Sequence, residues 1–369
     1  MTSKKVLTFQ ETLDKAKEFN KKYSELCGMN ILLAYGFSFA CCQDIFMYDR
    51  LFNTADFSEE INKVFCEFRT FDFEKIIKKL NDTSKIVNVY DKVNSIIQQL
   101  EFDSNKIKDE LVNAISKKHP VHQHIIPDYK FCSAYRFLSN FENIYTLNYD
   151  MLLYWTQMFE KRKSDLLKYL KIDLKEYKDN FGRFNGELCW YKKNSSQKIF
   201  YLHGALHLFD TGSDIIKAET TPDENLMDVI KNRLDNNLYP LIVAEGSSEE
   251  KLDKISHNKY LQNSLEQLKY IKGNLFIHGH SLDDNDKHII NTISNAWDLK
   301  QIFISVYNPN KNFEEIQHKA YAYFVDGHRK PKKIFFYDAE SANVWNSITE
   351  EDVNAFEHSE FIEFLKEES

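Results

Sequence analysis

Apolar, β-branched and aromatic residues gather along this chain into seven short runs: Ile31–Ala34, Ile144–Leu147, Ile199–Leu202, Leu241–Ala244, Leu275–His278, Ile302–Val306 and Ile334–Tyr337. Between most of them lie segments of helical period with a charged face, such as Met151–Leu170, Asn258–Ile271 and Asp284–Leu299. Strand and helix in alternation are the signature of βαβ units. The pattern predicts an α/β fold on a doubly wound, parallel, Rossmann-like sheet.

The interval from about residue 50 to residue 140 breaks this alternation. It holds no good strand but several helix-period segments, Ser58–Phe68, Phe73–Leu80, Lys85–Leu100 and Lys106–Lys117. They end near His119-Pro120, where the residue before proline disfavours helix. Residues 51–130 are therefore expected to form a helical insertion that caps the carboxyl edge of a sheet domain made of residues 1–50 and 131–345. Within residues 346–369, Glu350–Lys366 reads as an acidic amphipathic helix that buries Val353, Phe356, Phe361 and Phe364.

Composition narrows the partners. In 369 residues, 43% are hydrophobic and 28% charged, which favours a globular chain over disorder or a membrane span. Met1-Thr2-Ser3-Lys4-Lys5 leads into a charged helical pattern, and no stretch approaches about eighteen uninterrupted apolar residues. A cytoplasmic protein with no membrane partner is expected. The six cysteines form no C-x-x-C pair, so neither a zinc ribbon nor a disulfide framework is expected. A net charge of −8 argues against direct nucleic-acid binding and leaves a small molecule or another protein as the partner.

Candidate chemistry sits where the apolar runs end, because open α/β sheets bind ligands at the carboxyl ends of their strands. Ala34-Tyr35-Gly36-Phe37-Ser38 has the shape of a phosphate loop, in which Gly36 lets the backbone approach a pyrophosphate and Ser38 holds its oxygens. A tight strand exit is the plainer reading. Thr146, Asn148 and Asp150 alternate as the second strand leaves the sheet, so all three face one side. Helix capping explains one such residue but not three.

His203-Gly204 ends the third run. His203 and His207 have a spacing that suits zinc on a helix, but the run before His203 reads as strand and the Glu of H-E-x-x-H is missing. No metal is expected. Gly279-His280-Ser281-Leu282 joins a strand to a helix whose first turn is acidic: Asp284 or Asp286 complements the helix dipole, and Gly279 and Ser281 are the better candidates for ligand contact. Asn308, in Tyr307-Asn308-Pro309, is either a turn residue or a reader of a ribose or base.

Read in order, these edges resemble the sirtuin superfamily. That family's Gly-Ala-Gly-x-Ser, Thr-x-Asn-x-Asp, His-Gly and Gly-Thr-Ser-Leu strand ends, and its later Asn, appear here as Ala34–Ser38, Thr146–Asp150, His203-Gly204, Gly279–Leu282 and Asn308. Asp44 resembles the aspartate of the family's Pro-Asp-Phe-Arg segment, with Gln43 and Phe46 in place of its Pro and Arg. The chain is more similar still to a bacterial sirtuin-like family without an assigned function, through Leu202–His207, Val243–Ser247 with Lys251, Tyr260-Leu261 and Gly279–Leu282. It departs from the superfamily pattern at Ala34, which replaces the first glycine, and in lacking the zinc-ribbon module of protein deacylases.

The resemblance implies that NAD is the substrate and that its nicotinamide–ribose bond is cleaved, as in sirtuin-like effectors of bacterial antiviral defence. It implies Asn148 as positioner of ribose and water, His203 as base and Asp150 as orienting group. Ala34, Gly36, Phe37, Ser38, Asp44, Thr146, Gly279, Ser281 and Asn308 would contact the dinucleotide. A homo-oligomer and a ring-forming ATPase are the expected partners. The alternatives are a protein deacylase or ADP-ribosyltransferase, and a non-catalytic subunit that binds NAD or ADP-ribose.

Overall fold

The computed structural model describes residues 6–42, 52, 55–70, 73–90, 94–117, 119–120, 122–191, 197–219, 225–243 and 247–367. Among these are the strands β1 (Met29–Leu33), β2 (Asn143–Thr146), β3 (Phe181–Phe184), β4 (Glu187–Trp190), β5 (Ile199–Tyr201), β6 (Gly204–Asp210), β7 (Ile215–Lys217), β8 (Pro240–Ile242), β9 (Gly273–His278), β10 (Leu299–Val306) and β11 (Lys333–Asp338). Six of them form one sheet in the order β11-β10-β9-β1-β2-β5, with every neighbouring pair parallel. Numbered along the chain within that sheet, the order is 3-2-1-4-5-6, which is compatible with a Rossmann-like fold.

The continuous apolar runs arise because both faces of these strands are covered. In β1, Ile31 and Leu33 enter one hydrophobic cluster, while Leu32 and the following Ala34 enter another on the opposite face. Leu275 and Ile277 of β9 join the second cluster and Phe276 the first. At the amino edge, Asn30 donates to the carbonyls of Lys272 and Asn274 and accepts from Asn143, fixing the register of β2, β1 and β9.

Leu241–Ala244 was expected in this sheet, but Leu241 and Ile242 belong to β8. That strand pairs antiparallel with β6 in a second, five-stranded sheet ordered β3-β4-β7-β6-β8. The chain passes from one sheet to the other at Leu202-His203. Gly204 makes the corner with φ +74°, and a Cβ there would lie 1.8 Å from the Leu241 carbonyl oxygen. The His-Gly pair is thus first a geometric requirement for joining two sheets.

The helical readings hold in kind but shift in extent. Phe73–Leu80 and the start of Lys85–Leu100 are one helix, Phe73–Tyr90, because no glycine or proline interrupts Asn81–Ser84. It packs along Asn94–Ser116, which in turn packs against Leu226–Asp235. Met151–Leu170 divides at Lys163 into Leu152–Arg162 and Ser164–Tyr169. The helix Glu350–Glu367 buries Val353 and half-buries Phe356; Phe361 and Phe364 are not among the described side chains. Among the described residues no helix is long and apolar enough to cross a membrane, and all six cysteines are free thiols.

Gly204→Ala should lower stability by about 3 kcal/mol or more, from backbone overlap together with a left-handed conformation that alanine resists. Urea unfolding monitored by circular dichroism measures this. A loss below about 1 kcal/mol would show that the corner can relax.

Candidate functional site

The loops after β1 and β9 meet where the strand order turns. Ala34 and Gly36 donate their N–H groups to the carbonyls of His278 and Gly279, each at 3.0 Å. A Cβ on either Gly36 or Gly279 would lie 2.5 Å from the Cα of the other. Gly279 adopts φ +76° and donates to Ser305 Oγ at 2.8 Å. The absent side chain of Gly36 therefore serves the approach of one loop to the other.

Beside this contact opens a cavity of about 630 Å³, bounded by Gly36 and Tyr35 after β1, His280 and Ser281 after β9, Asn312 after β10 and Trp345 after β11. Its size falls among small-molecule sites, roughly 300–1,000 Å³. Trp345 is fully buried; its Nε1–H donates to the Phe37 carbonyl at 2.7 Å, and its ring packs on Phe37 with centroids 5.0 Å apart. Phe37 is accordingly a core residue. The Leu282 backbone closes the β9 loop at φ +55°, a conformation unusual for a bulky residue, while its N–H donates to His280 Nδ1 at 2.8 Å.

The end of β2 is tied to the β1 loop by side chains. Asn148 Nδ2 donates to the Ala34 carbonyl at 3.0 Å and to Ser38 Oγ at 2.8 Å. Ser38 in turn donates to Asp150 Oδ2 at 2.5 Å, and Asp150 Oδ1 accepts the Leu152 N–H at 2.9 Å. Asp150 thus joins the network to the first N–H of the helix Leu152–Arg162. Burial raises its carboxyl to about 6, against the pull of the Ser38 and Leu152 hydrogen bonds. Thr146 Oγ1 accepts the Asn148 N–H at 3.0 Å. Both protons of the Asn148 amide are engaged, and among the described residues its Oδ1 accepts no hydrogen bond.

His119, the residue that closes the predicted insertion, reaches this network. Its Nδ1 lies 2.7 Å from the Pro120 carbonyl, so the ring proton sits there and Nε2 accepts the Met151 N–H at 3.0 Å. Burial pushes this imidazole down to about 4.

His203 belongs to a different cluster. Its Nε2 lies 3.0 Å from His288 Nε2 and 4.0 Å from Asp286 Oδ1. Asp286 Oδ1 also pairs with Lys251 Nζ at 2.9 Å, and its Oδ2 faces His280 Nε2 at 3.3 Å. Burial pushes His203 down to about 3 and His288 to about 4. Burial also pushes the Asp286 carboxyl up, but the His280 hydrogen bond and the nearby His203 and Lys251 outweigh it and hold it below the usual carboxylate range. The described contacts of Asn148 and of His203 share no residue. His280, which lines the cavity and faces Asp286, joins the His203 cluster to the cavity.

A family described as a domain of unknown function, DUF4917, matches residues 31–345. The chain belongs to that family. No curated protein matches it. The DUF4917 span begins in β1 and ends on Trp345, so it takes in residues of all six strands of the parallel sheet and most of the cavity lining.

Within this DUF4917 chain, the anticipated residues fall into separate groups. Gly36, Gly279 and Ser281 line the cavity. Ser38, Asn148 and Asp150 interlock next to it, with Ala34 and Thr146 joined through backbone or hydroxyl. Asn308 is exposed and starts the helix Pro309–Phe324 at φ +45°, while its neighbour Tyr307 lines the cavity. Asp44 lies outside the described residues. None of the described residues that line this cavity comes from 51–130.

Sequence reasoning missed Trp345, Asn312, His119 and His288, and assigned Asp286 to the helix dipole. A tryptophan and asparagines directly after the last sheet strand were the available signal for the far wall.

Acid should expose the buried imidazole of His119. An unfolded histidine titrates near 6.5, whereas in the fold His119 stays neutral down to about 4. Its contribution to stability is complete above about pH 6.5 and is lost as the pH falls through that window. Urea unfolding at about pH 7 and about pH 4.5 should show His119→Gln losing about 2–3 kcal/mol less than the parent. Equal losses would place the acid sensitivity elsewhere.

Proposed function

We propose that this DUF4917 protein is an NAD-cleaving hydrolase that releases nicotinamide and ADP-ribose. The observation that carries the reading is the fixed Asn148 amide at the carboxyl edge of the sheet. With both amide protons held by Ala34 and Ser38, its Oδ1 is the atom left to orient a water or a ribose hydroxyl. Nicotinamide departs as a neutral molecule, so its departure needs no acid. The protein's task is to hold the ribose, to stabilise positive charge developing at the anomeric carbon and to admit water. Asp150, acting through Ser38, keeps the Asn148 amide in place. The cavity walled by Gly36, Gly279 and Ser281 would receive the dinucleotide.

In this reading the sheet is doubly wound, residues 51–130 form an insertion, and the activity is a regulated effector of bacterial anti-phage defence. A homo-oligomer and a ring-forming ATPase would supply the regulation. His203 faces His288 rather than Asn148, so water positioning is assigned to Asn148 and not to His203. A second reading, dinucleotide binding without turnover, is favoured by one observation: Asn148 is not among the residues lining the cavity.

Incubating the purified chain with NAD, alone and with its genetic neighbour, should release nicotinamide without an added acceptor. Asn148→Ala should slow release by about a hundredfold or more. It should leave the circular dichroism spectrum unchanged. Tight NAD binding with no nicotinamide under either condition would replace hydrolysis by the second reading, and release that requires an acyl-lysine or protein acceptor would replace it by transfer chemistry.

A further inference from the structure

His203, Asp286 and His288 come from three places in the chain: the corner between the two sheets, the 3-10 turn Asp284–Asp286 and the first turn of the helix Lys287–Ser294. Each offers one donor atom, and the three atoms lie within 4.8 Å of one another. Both histidines are buried, each with only 4% of its surface exposed.

The two imidazoles face each other through Nε2 at 3.0 Å. One way to satisfy that contact is a proton on one of the two nitrogens; a cation held by both is another. His288 Nδ1 lies 3.0 Å from Ser248 Oγ, and the same oxygen accepts the His288 backbone N–H at 2.8 Å. In the tautomer with its proton on Nδ1, His288 donates to Ser248 and its Nε2 is free to bind a cation beside His203 and the Asp286 carboxylate.

The spacing fits one. Two nitrogens on a tetrahedral zinc, with bonds of about 2.0–2.1 Å, stand about 3.3 Å apart. Opening the imidazole pair by about 0.3 Å admits the ion. Asp286 Oδ1 lies 4.0 Å from His203 Nε2, and all three donor atoms lie within 4.8 Å of one another, so the carboxylate needs to close by about 1.5 Å or less. The outer partners that orient ligating side chains are present as well: Ser248 on the far nitrogen of His288, and His280 on the second oxygen of Asp286.

We propose that His203, Asp286 and His288 bind a divalent transition-metal ion of the zinc class, leaving a coordination position for water or a ligand. Two imidazoles and a carboxylate make the donor set of open zinc sites. The proposal is independent of NAD cleavage, because occupancy is read without turnover.

Lys251 sets the affinity. Its ammonium lies 2.9 Å from Asp286 Oδ1, the oxygen that the metal would take. An arriving ion competes with that ammonium and must displace it. The site is therefore weaker than its ligands alone would make it.

The test uses the full chain, stripped with a chelator and dialysed against zinc, with bound metal counted by mass spectrometry. One zinc per chain is expected. Cobalt in its place should give visible absorption bands that are absent from a chelator-treated control. His288→Gln and Asp286→Asn, each verified as folded by circular dichroism, should bind at least about tenfold more weakly, and Lys251→Met at least about tenfold more tightly. Zinc should raise the melting temperature of the parent and not that of His288→Gln. No stoichiometric zinc in the parent, or parent-like affinity in His288→Gln and Asp286→Asn, would overturn the proposal. Zinc bound by Lys251→Met alone would overturn it too, because Lys251 would then be the native cation of the site.

Discussion

The backbone contact between Gly36 and Gly279 is the constraint on which this molecule's functional edge depends. Parallel sheets bring ligands to the carboxyl ends of their strands, but strands alone leave an open crevice whose width is set by the loops. Here the β1 and β9 loops touch through two glycine Cα positions and are locked by the Gly36 N–H to Gly279 carbonyl bond. That contact divides the edge. On one side lies the cavity bounded by Ser281 and Trp345; on the other, the Ser38–Asn148–Asp150 chain of hydrogen bonds. A side chain at either glycine would change both at once.

Burial governs the charge states around this edge. His119, His203 and His288 are all pushed down by desolvation, and Asp150 is pushed up. The effect opposes the formation of charge at each of these positions. Asp286 is the exception, because Lys251 and His280 stand against it. The charge at Asp150 is thus set chiefly by burial, and that at Asp286 by His280, His203 and Lys251, within the same fold.

Much of the fold was legible in the sequence. All seven apolar runs contain strand residues, and their near-continuous character reflects two covered faces. The second sheet was not legible, because β3 and β4 are short and half-exposed and carry no sustained alternation. Leu241 misled for a physical reason: a three-residue strand reads the same whether its partner is parallel or antiparallel. In the site, Thr146, Asn148 and Asp150 were read as alternating along a strand, but β2 ends at Thr146, and Asn148 and Asp150 are placed by hydrogen bonds to Ala34 and Ser38 that no local period reveals. The cluster of His203, Asp286 and His288 was hidden, because it forms only when the corner after β5 meets the turn after β9. The acidic turn was readable as a helix-dipole partner, and that local explanation left no reason to look for a distant one.

The pairing of β1 with β9 joins Met29 to Asn274, and every residue of the crevice depends on it. Few local contacts guide so distant a closure, and the entropy of the intervening chain must be overcome before the pairing is rewarded. On the ribosome, β1 and β2 emerge long before β9. An unfinished chain contains Asn148 and His203 but cannot assemble the edge that would use them. For a protein proposed to consume a cofactor that every cell needs, the order of synthesis would itself act as a safeguard, because β1 gains its partner β9 only after most of the chain has been made.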